Sequence, residues 1–372
     1  MKHMKNKYGF SLVELLIVMA IFSVVMAGLY AATSVQLREG VKEYRLAESE
    51  MELGISKNII ERDIGMAGYG LMDDYDFDDD GTPNFTPRAA GATDDNPDTL
   101  TLMGTALGLA SRAAQGWAPA QSVAGNVPSF LTFNDAREDV FPNDRIIIMD
   151  PNTKALVADG AEWRFKYRTT TPKIVLLATD GSDGAAFTQS FVGMTVYGIS
   201  HNGATADIAQ PYYAVRYYSP DAVSSPPPAL CAPGTRNLLR AESKTSASPA
   251  GGEPMLNCVL DFQVALGLDT DEDGTIDSWD NGGVTAQGYA SKDLNKRLKQ
   301  VRAYALVQAG NRDQGYTYSN PDPAYASTPD KIRVGDLYLK NGATGRDVQL
   351  TPEQRKYRWK VVTFAVTPRN TR

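Results

Sequence analysis

Cysteine and histidine are nearly absent from this chain: two of each in 372 residues, Cys231 and Cys258, His3 and His201. A zinc site built from clustered cysteines and histidines is therefore excluded. A histidine general base has few candidates. His201 stands in "GISHNGATAD", after a strand-like run, where a solvated loop residue is expected. No Gly-x-Ser-x-Gly elbow is present for a serine nucleophile, and neither a phosphate loop nor a dinucleotide fingerprint occurs. A formal net charge of −7 without a local basic patch argues against nucleic-acid binding. Paired carboxylates occur only in two Asp-rich loops, where holding a metal suits them better than acid–base work. The residues do not describe an enzyme.

What is present begins at the N-terminus, "MKHMKNKYGFSLVELLIVMAIFSVVMAGLYAA". Lys2, His3, Lys5 and Lys7 form a basic leader, and apolar residues run from Leu15 to Ala32, broken by Ser23 and Gly28. A bilayer needs roughly 20 apolar residues, so this segment is about long enough to span one. Positive charge before it and none just after predicts an N-in, C-out orientation. A secretory signal would end in a small-x-small cleavage site, and "AGLYAATSV" offers only a poor one at Ala32, Thr33 and Ser34. Glu14 also stands inside the apolar run. An ionisable group there costs roughly 2.5–3.5 kcal/mol on insertion scales. Either it snorkels to the interface, or a partner charge meets it in an assembly.

Gly9, Phe10 and Glu14 together decide between these. A short basic leader ending in Gly, then Phe, then Glu at the fifth position of the apolar run resembles the class III signal of type IV pilins. The resemblance implies cleavage between Gly9 and Phe10 by a prepilin peptidase and methylation of the new amine, giving an N-methylphenylalanine. Three leader lysines and His3 would leave with the cut. Physics makes the spacing sensible. Cleavage leaves a cationic amine at the tip of a buried helix, and residues four apart share a helix face. Glu14 can pair with that amine, its own or a neighbour's; a buried charge is tolerable when paired, and pairing specifies register. A second resemblance is to PilW-type minor pilins. "RDIGMAGYGL" (62–71), "CVLDFQVALGLDTDEDGTIDSW" (258–279) and "RKYRWKVVTFAVTPRN" (355–370) carry it, while the region from about 82 to 250 shows only general pattern.

Helical spacing continues past the span. Leu37, Val41, Leu46, Leu53, Ile60 and Ile64 recur among charged residues. One helix is predicted from about Ser11 to Met66, roughly 80 Å long at 1.5 Å per residue, ending at Gly65, Gly68 and Gly70. Gly40 and Gly54 weaken it locally by about 1 kcal/mol each; the alternative is a membrane anchor joined to a separate soluble helix. Strands are predicted at 99–103, 144–150, 173–180, 194–200, 212–219, 259–266, 302–309 and 359–367 from branched and aromatic runs between turn residues. "LNKRLKQVRAY" could instead be a short helix. Segments such as "SSPPPALCAPG" imply large surface loops. The expected fold is α+β: a long N-terminal transmembrane and amphipathic helix, type IV pilin-like, packed on an antiparallel β-sheet head with long loops. Its expected parts are leader 1–9, membrane or filament-core helix 10–33, amphipathic continuation 34–70 and extracytoplasmic head 71–372.

Two acidic loops follow the EF-hand order, in which positions 1, 3 and 5 supply carboxylates, 6 is Gly, and 7 gives a carbonyl. "DTDEDGTIDSWD" offers Asp269, Asp271, Asp273, the Thr275 carbonyl, Asp277 and Asp280, with Ile276 at the apolar-anchor position. Asp replaces Glu at the twelfth place. A structural Ca²⁺ site is expected here, the alternative being a solvated acidic turn. "DFDDDGTPN" is a weaker copy: Asp76, Asp78, Asp80, the Thr82 carbonyl and Asn84, with its far half missing. Cys231 and Cys258 bracket a Pro/Ser/Gly-rich segment. In the oxidising space outside the inner membrane a disulfide is the default, against two buried free thiols.

The resemblance implies a minor pilin at or near the tip of a type IV pilus that helps to prime assembly, structural and non-catalytic. Its implied partners are other minor and major pilins, the prepilin peptidase/methyltransferase, the inner-membrane assembly machinery and a tip adhesin. Its implied location is the inner membrane, single-pass and N-in with a periplasm-facing head, and then the extracellular pilus. A minor pseudopilin of a type II secretion system uses the same helix logic. A membrane-anchored adhesion module, whose β head recognises a surface directly, is the reading from another class.

Overall fold

A computed structural model describes residues 11–71, 88–90, 96–108, 112–124, 127–178, 181–187, 189, 192–201, 211–244, 246, 249–280 and 296–370. The chain divides into two compact units, residues 1–51 and 52–372. Helix α1, Leu12–Met66, is continuous for 55 residues. Gly28, Gly40 and Gly54 sit inside it without a break, so the single-helix expectation holds and the two-piece alternative does not.

From Leu15 to Ala32 α1 is apolar nearly all round, and Leu12, Val24 and Tyr30 are more than 70% exposed. A helix hydrophobic all round is one that belongs in lipid or among other helices. Leu12–Val41 is long and apolar enough to cross a membrane.

The strands of the second unit run in chain order as β1 Arg88–Ala90, β2 Thr99–Gly104, β3 Trp117–Ala124, β4 Val127–Phe130, β5 Asp144–Met149 and β6 Phe165–Tyr167. Next come β7 Ile174–Leu177, β8 Asp183–Ala186, β9 Thr195–His201, β10 Tyr213–Tyr218, β11 Arg236–Ser243 and β12 Glu253–Leu268. The last are β13 Ser278–Asp280, β14 Leu298–Ala309, β15 Lys331–Val334, β16 Arg346–Gln349 and β17 Arg358–Val366. The large sheet has the order β1-β2-β10-β11-β12-β14-β17, with β13 hydrogen-bonded to β12. A second sheet has the order β4-β3-β9-β5-β6-β7-β8, and β15-β16 is a separate hairpin. All of these pairings are antiparallel.

Every strand predicted from the sequence is present. Within "LNKRLKQVRAY" Lys296 and Arg297 are helical and the segment is strand from Leu298, where pairing with β12 and β17 overrides the local helical preference. Among the described residues the antiparallel head holds two large sheets and the two-stranded β15–β16. β11, with the polar sequence "RNLLRAES", β3, interrupted by Pro, and the short strands β4, β6 and β8 carry too little apolar alternation to be read in advance.

Alternation decides the layers. On one face of the large sheet Leu102, Val215, Phe262, Val264 and Phe364 pack with Leu53, Ile60 and Ile64 of α1 in the main core. On the other, Ala265, Tyr304 and Leu306 meet Ile332 and Val334 of the hairpin. The second sheet has its own core around Ile146, Ile148, Phe165 and Val196, while its Ile147 and Ile199 join the main one. Burying one such side chain stabilises by about 1.5–3 kcal/mol.

Candidate functional site

At the N-terminus, Gly9 and Phe10 lie outside the described residues. Just after them Ser11 and Glu14 close a reciprocal cap. The Glu14 carboxylate accepts the Ser11 amide at 3.1 Å, and the Ser11 hydroxyl accepts the Val13 amide at 3.3 Å. Ser-x-x-Glu is the sequence signature of such a box. The acid inside the apolar run thus starts the helix.

Where α1 meets the head within the second unit, polar groups fix its seat. Leu53, Ser56, Ile60, Asp63, Ile64 and Ala67 are buried at helical spacing along one face. Glu52 accepts both the backbone amide and the side-chain amide of Asn257 at 2.9 Å, and Ser56 donates to the Met255 carbonyl. The deepest contact is at Asp63, fully buried, which accepts from Arg240 Nε at 2.8 Å and from the Tyr217 hydroxyl at 2.7 Å. Arg240 also donates to Glu242 at 2.8 Å and to the Leu107 carbonyl at 2.9 Å. Burial alone would lower the Arg240 pKa, but the Asp63 charge, the Tyr217 phenol and the hydrogen bonds to Asp63 and Glu242 outweigh it and hold it above its ordinary value. Desolvation, then the Asp63 charge, pushes the Tyr217 phenol far up. Removing one member of such a buried pair typically costs about 3–5 kcal/mol.

The helix then ends against the C-terminal segment. Gly68 and Gly70 adopt left-handed φ of 82° and 68°, conformations that suit glycine. A Cβ on Gly70 would fall 2.6 Å from the Thr105 hydroxyl. The Gly68 amide donates to the Met103 carbonyl at 2.8 Å, and Asn370 reaches the Gly65 carbonyl at 3.5 Å. So "RDIGMAGYGL" and the closing "TPRN", distant in sequence, meet.

The first acidic loop joins β12 to β13. Carboxylate oxygens of Asp269, Asp271 and Asp273 lie within 4.8 Å of one another, a group that could hold a metal ion. Asp269 is buried; it accepts the amides of Asp273 and Gly274 at 3.0 and 2.8 Å and sits 3.3 Å from the Lys299 ammonium. Burial alone would raise its pKa, but the Gly274 amide and Lys299 together hold it lowered. At Asp271 the Asp273 amide lowers the pKa, yet burial and the carboxylates of Asp273, Asp277 and Asp269 outweigh it and leave the group raised. Asp277 is not part of the three-acid group: it accepts the Thr270 amide at 2.7 Å, which lowers its pKa. Nor is Asp280, which lies buried on β13 opposite Leu266. Thr275 donates its hydroxyl to Asp273 at 2.6 Å. Gly274 has a φ of 94°, the sharp turn the loop order requires. Of the second loop, Asp76, Asp78, Asp80, Thr82 and Asn84 lie outside the described residues.

Cys231 and Cys258 form a disulfide, which pins the proline-rich loop to β12. Gln308 supports it by accepting the Ala232 amide at 2.6 Å and donating to the Leu230 carbonyl at 3.1 Å. The pair sits at a bulge: Arg236 faces Val259 and Leu238 faces Leu256, so Cys258 is extra in β12 and adopts φ 54°. His201 is exposed, as expected of a solvated residue, but it is not in a loop. It ends β9 and its Nδ1 lies 2.5 Å from the buried Asp144 carboxylate.

Two family models match. The prokaryotic N-terminal methylation motif covers residues 4–30, and the type IV pilus-assembly protein W family covers residues 228–370. The chain is type IV pilin-like, and its C-terminal part is of the PilW type. The PilW match takes in the disulfide, the acidic loop and the strands from β11 to β17. The methylation match takes in Gly9, Phe10 and Glu14. PilW-type proteins are structural and non-catalytic. Methylation motif and apolar helix point to membrane anchoring and association with a pilus, and a pilin-like nature implies contact with other pilins and assembly machinery. Among solved structures, the chain is similar to the type IV-like pilin TTHA1219 from Thermus thermophilus, at 10% identity over 87% of this chain and 97% of that one, with a TM-score of 0.34. The family models, not this likeness, carry the assignment. Comparison with curated proteins finds no significant match.

Proposed function

We propose that this PilW-type chain is a minor pilin of a type IV pilus, placed at or near the tip, where it helps to prime assembly. The observation that carries the reading is the methylation motif continuous with a 55-residue helix that is apolar nearly all round from Leu15 to Ala32. Cleavage falls between Gly9 and Phe10, Phe10 becomes N-methylated, and Glu14 pairs with that amine or with a neighbour's. The head faces the periplasm before assembly and the cell exterior after it. A head of roughly 300 residues, from Leu71 onward, is bulky for a subunit repeated along a thin shaft, which favours the tip, beside other pilins and a tip adhesin.

Calcium is part of the proposal. The Asp269, Asp271 and Asp273 carboxylates, with the Thr275 carbonyl, suit a hard cation bound by oxygen. They serve to stiffen the turn between β12 and β13 rather than to sense.

N-terminal mass spectrometry of the protein extracted from membranes tests the reading. The expected mature chain begins at N-methylated Phe10. A chain that begins at Met1, or beyond the apolar run, overturns it.

A further inference from the structure

Separate parts of the head meet in a cleft of about 500 Å³, within the size range of small-ligand sites. Trp279 comes from β13, Ile276 from the loop before it, and Arg302 from β14. Lys340 and Asn341 come from the segment between β15 and β16, and Thr367 directly follows β17. Gly267 of β12 makes the room: a Cβ there would fall 2.9 Å from Ile276 and 3.0 Å from Trp279. Those two side chains therefore approach the β12 backbone closely and give the cleft an apolar wall.

Two of the cations beside it are already satisfied. The Arg302 guanidinium lies over the Trp279 ring, 4.9 Å from its centroid, and is fixed there by Gln300 at 2.8 Å and Asp336 at 2.6 Å. Lys299 pairs with Asp269 at 3.3 Å. Lys340 differs. It is exposed, and among the described residues its ammonium has no acid or hydrogen-bond partner; nor do the side-chain polar groups of Asn341, Thr367 and Trp279. No described acid lines the cleft.

A free cation, free neutral hydrogen-bonding groups and an apolar wall, with no acid among them, define the ligand's chemistry. A carboxylate satisfies Lys340, hydroxyls satisfy Asn341 and Thr367, and a face of C–H groups suits Ile276 and Trp279. An acidic sugar carries all three; a neutral sugar lacks the charge, and a simple carboxylate lacks the hydroxyls. We propose that this cleft binds an acidic saccharide unit, with Lys340 holding its carboxylate and Asn341 and Thr367 its hydroxyls. This goes beyond the minor-pilin reading and does not depend on it.

The test titrates the full chain in detergent with trigalacturonate and with N-acetylneuraminate, followed by tryptophan fluorescence, since Trp279 stands in the cleft wall. At least one of the two acids binds, and more weakly as salt rises. The methyl ester of that acid, neutral maltotriose, and N-acetylaspartate amide, a carboxylate without a sugar ring, each bind about threefold more weakly or less. Lys340→Glu and Asn341→Asp place an acid in the cleft at side chains that hold no other group, so both variants melt where the parent does. Each weakens binding by about threefold or more, in the range of exposed ion pairs, while Lys340→Arg retains it. Failure of both acids to bind, equal binding of the methyl ester or of N-acetylaspartate amide, or unchanged affinity in both acidic variants overturns the proposal. The N-terminal mass of the extracted protein tests the pilus reading separately.

Discussion

Calcium should raise the melting temperature of the head, and the loop sets the size of the rise. Extracellular loops of this order bind with a Kd of roughly 10⁻⁴ to 10⁻³ M. At 10 mM calcium, ligand linkage then stabilises by about 1.4–2.7 kcal/mol. For about 300 residues the unfolding entropy is roughly 0.6 kcal/mol/K, so the expected shift is about 2–4 °C. Calcium must also displace Lys299 from Asp269, 3.3 Å away, so Lys299→Gln should tighten binding. Asp271→Asn separates the ion from the fold. Without calcium it removes the acid most crowded by its neighbours and should leave the head as stable as before or more so; with calcium it should lose most of the shift. The assay is thermal unfolding of the full chain in detergent, monitored by tryptophan fluorescence in chelator and in 10 mM calcium. Trp279, on β13 immediately after the loop, is well placed to report. Equal melting in the two conditions, or a shift of full size in Asp271→Asn, refutes a calcium site built on these acids.

Three further outcomes are expected. Glu14→Ala should leave cleavage intact but reduce the fraction of the protein recovered in sheared pili; normal recovery would remove the pairing role of the acid. Arg240→Met or Asp63→Asn alone should destabilise the head by about 3–5 kcal/mol in chemical denaturation, and the double variant by less than the sum, because each single change strands a buried polar partner. Replacing both Cys231 and Cys258 by Ser opens a loop with a sequence separation of 27 and should cost about 3.5 kcal/mol in the chain-entropy model, seen as an earlier denaturation midpoint.

The parts legible from the sequence share one property: their constraint is local. Glu14 reads directly because a carboxylate in an apolar run needs a reason within one turn, and the cap to Ser11 supplies part of it. The long helix reads from spacing. β5, as "DRIIIM", and β17, as "RWKVVTFAV", read from their branched and aromatic content. β11 does not, since its Arg240 is polar in sequence and becomes a core residue only beside Asp63, 177 residues away. The Asp144–His201 pair hid in the same way, across two strands of a sheet whose short members carry Gly, Ser and Pro.

The acidic loop sits between these cases, and its split explains what a motif can and cannot supply. The order Asp-x-Asp-x-Asp-Gly fixes the near half, because each acid folds back onto amides two to five residues away. The far half depends on the residues beyond the turn. In an EF-hand the twelfth residue supplies a bidentate carboxylate; here β13 begins at Ser278 and its pairing with β12 draws Asp280 into the sheet. Once the strand register claims that residue, a cation in this loop must complete its shell from the Thr275 carbonyl and water. A cation held there would bind at the weak end of the range and would brace the β12–β13 turn.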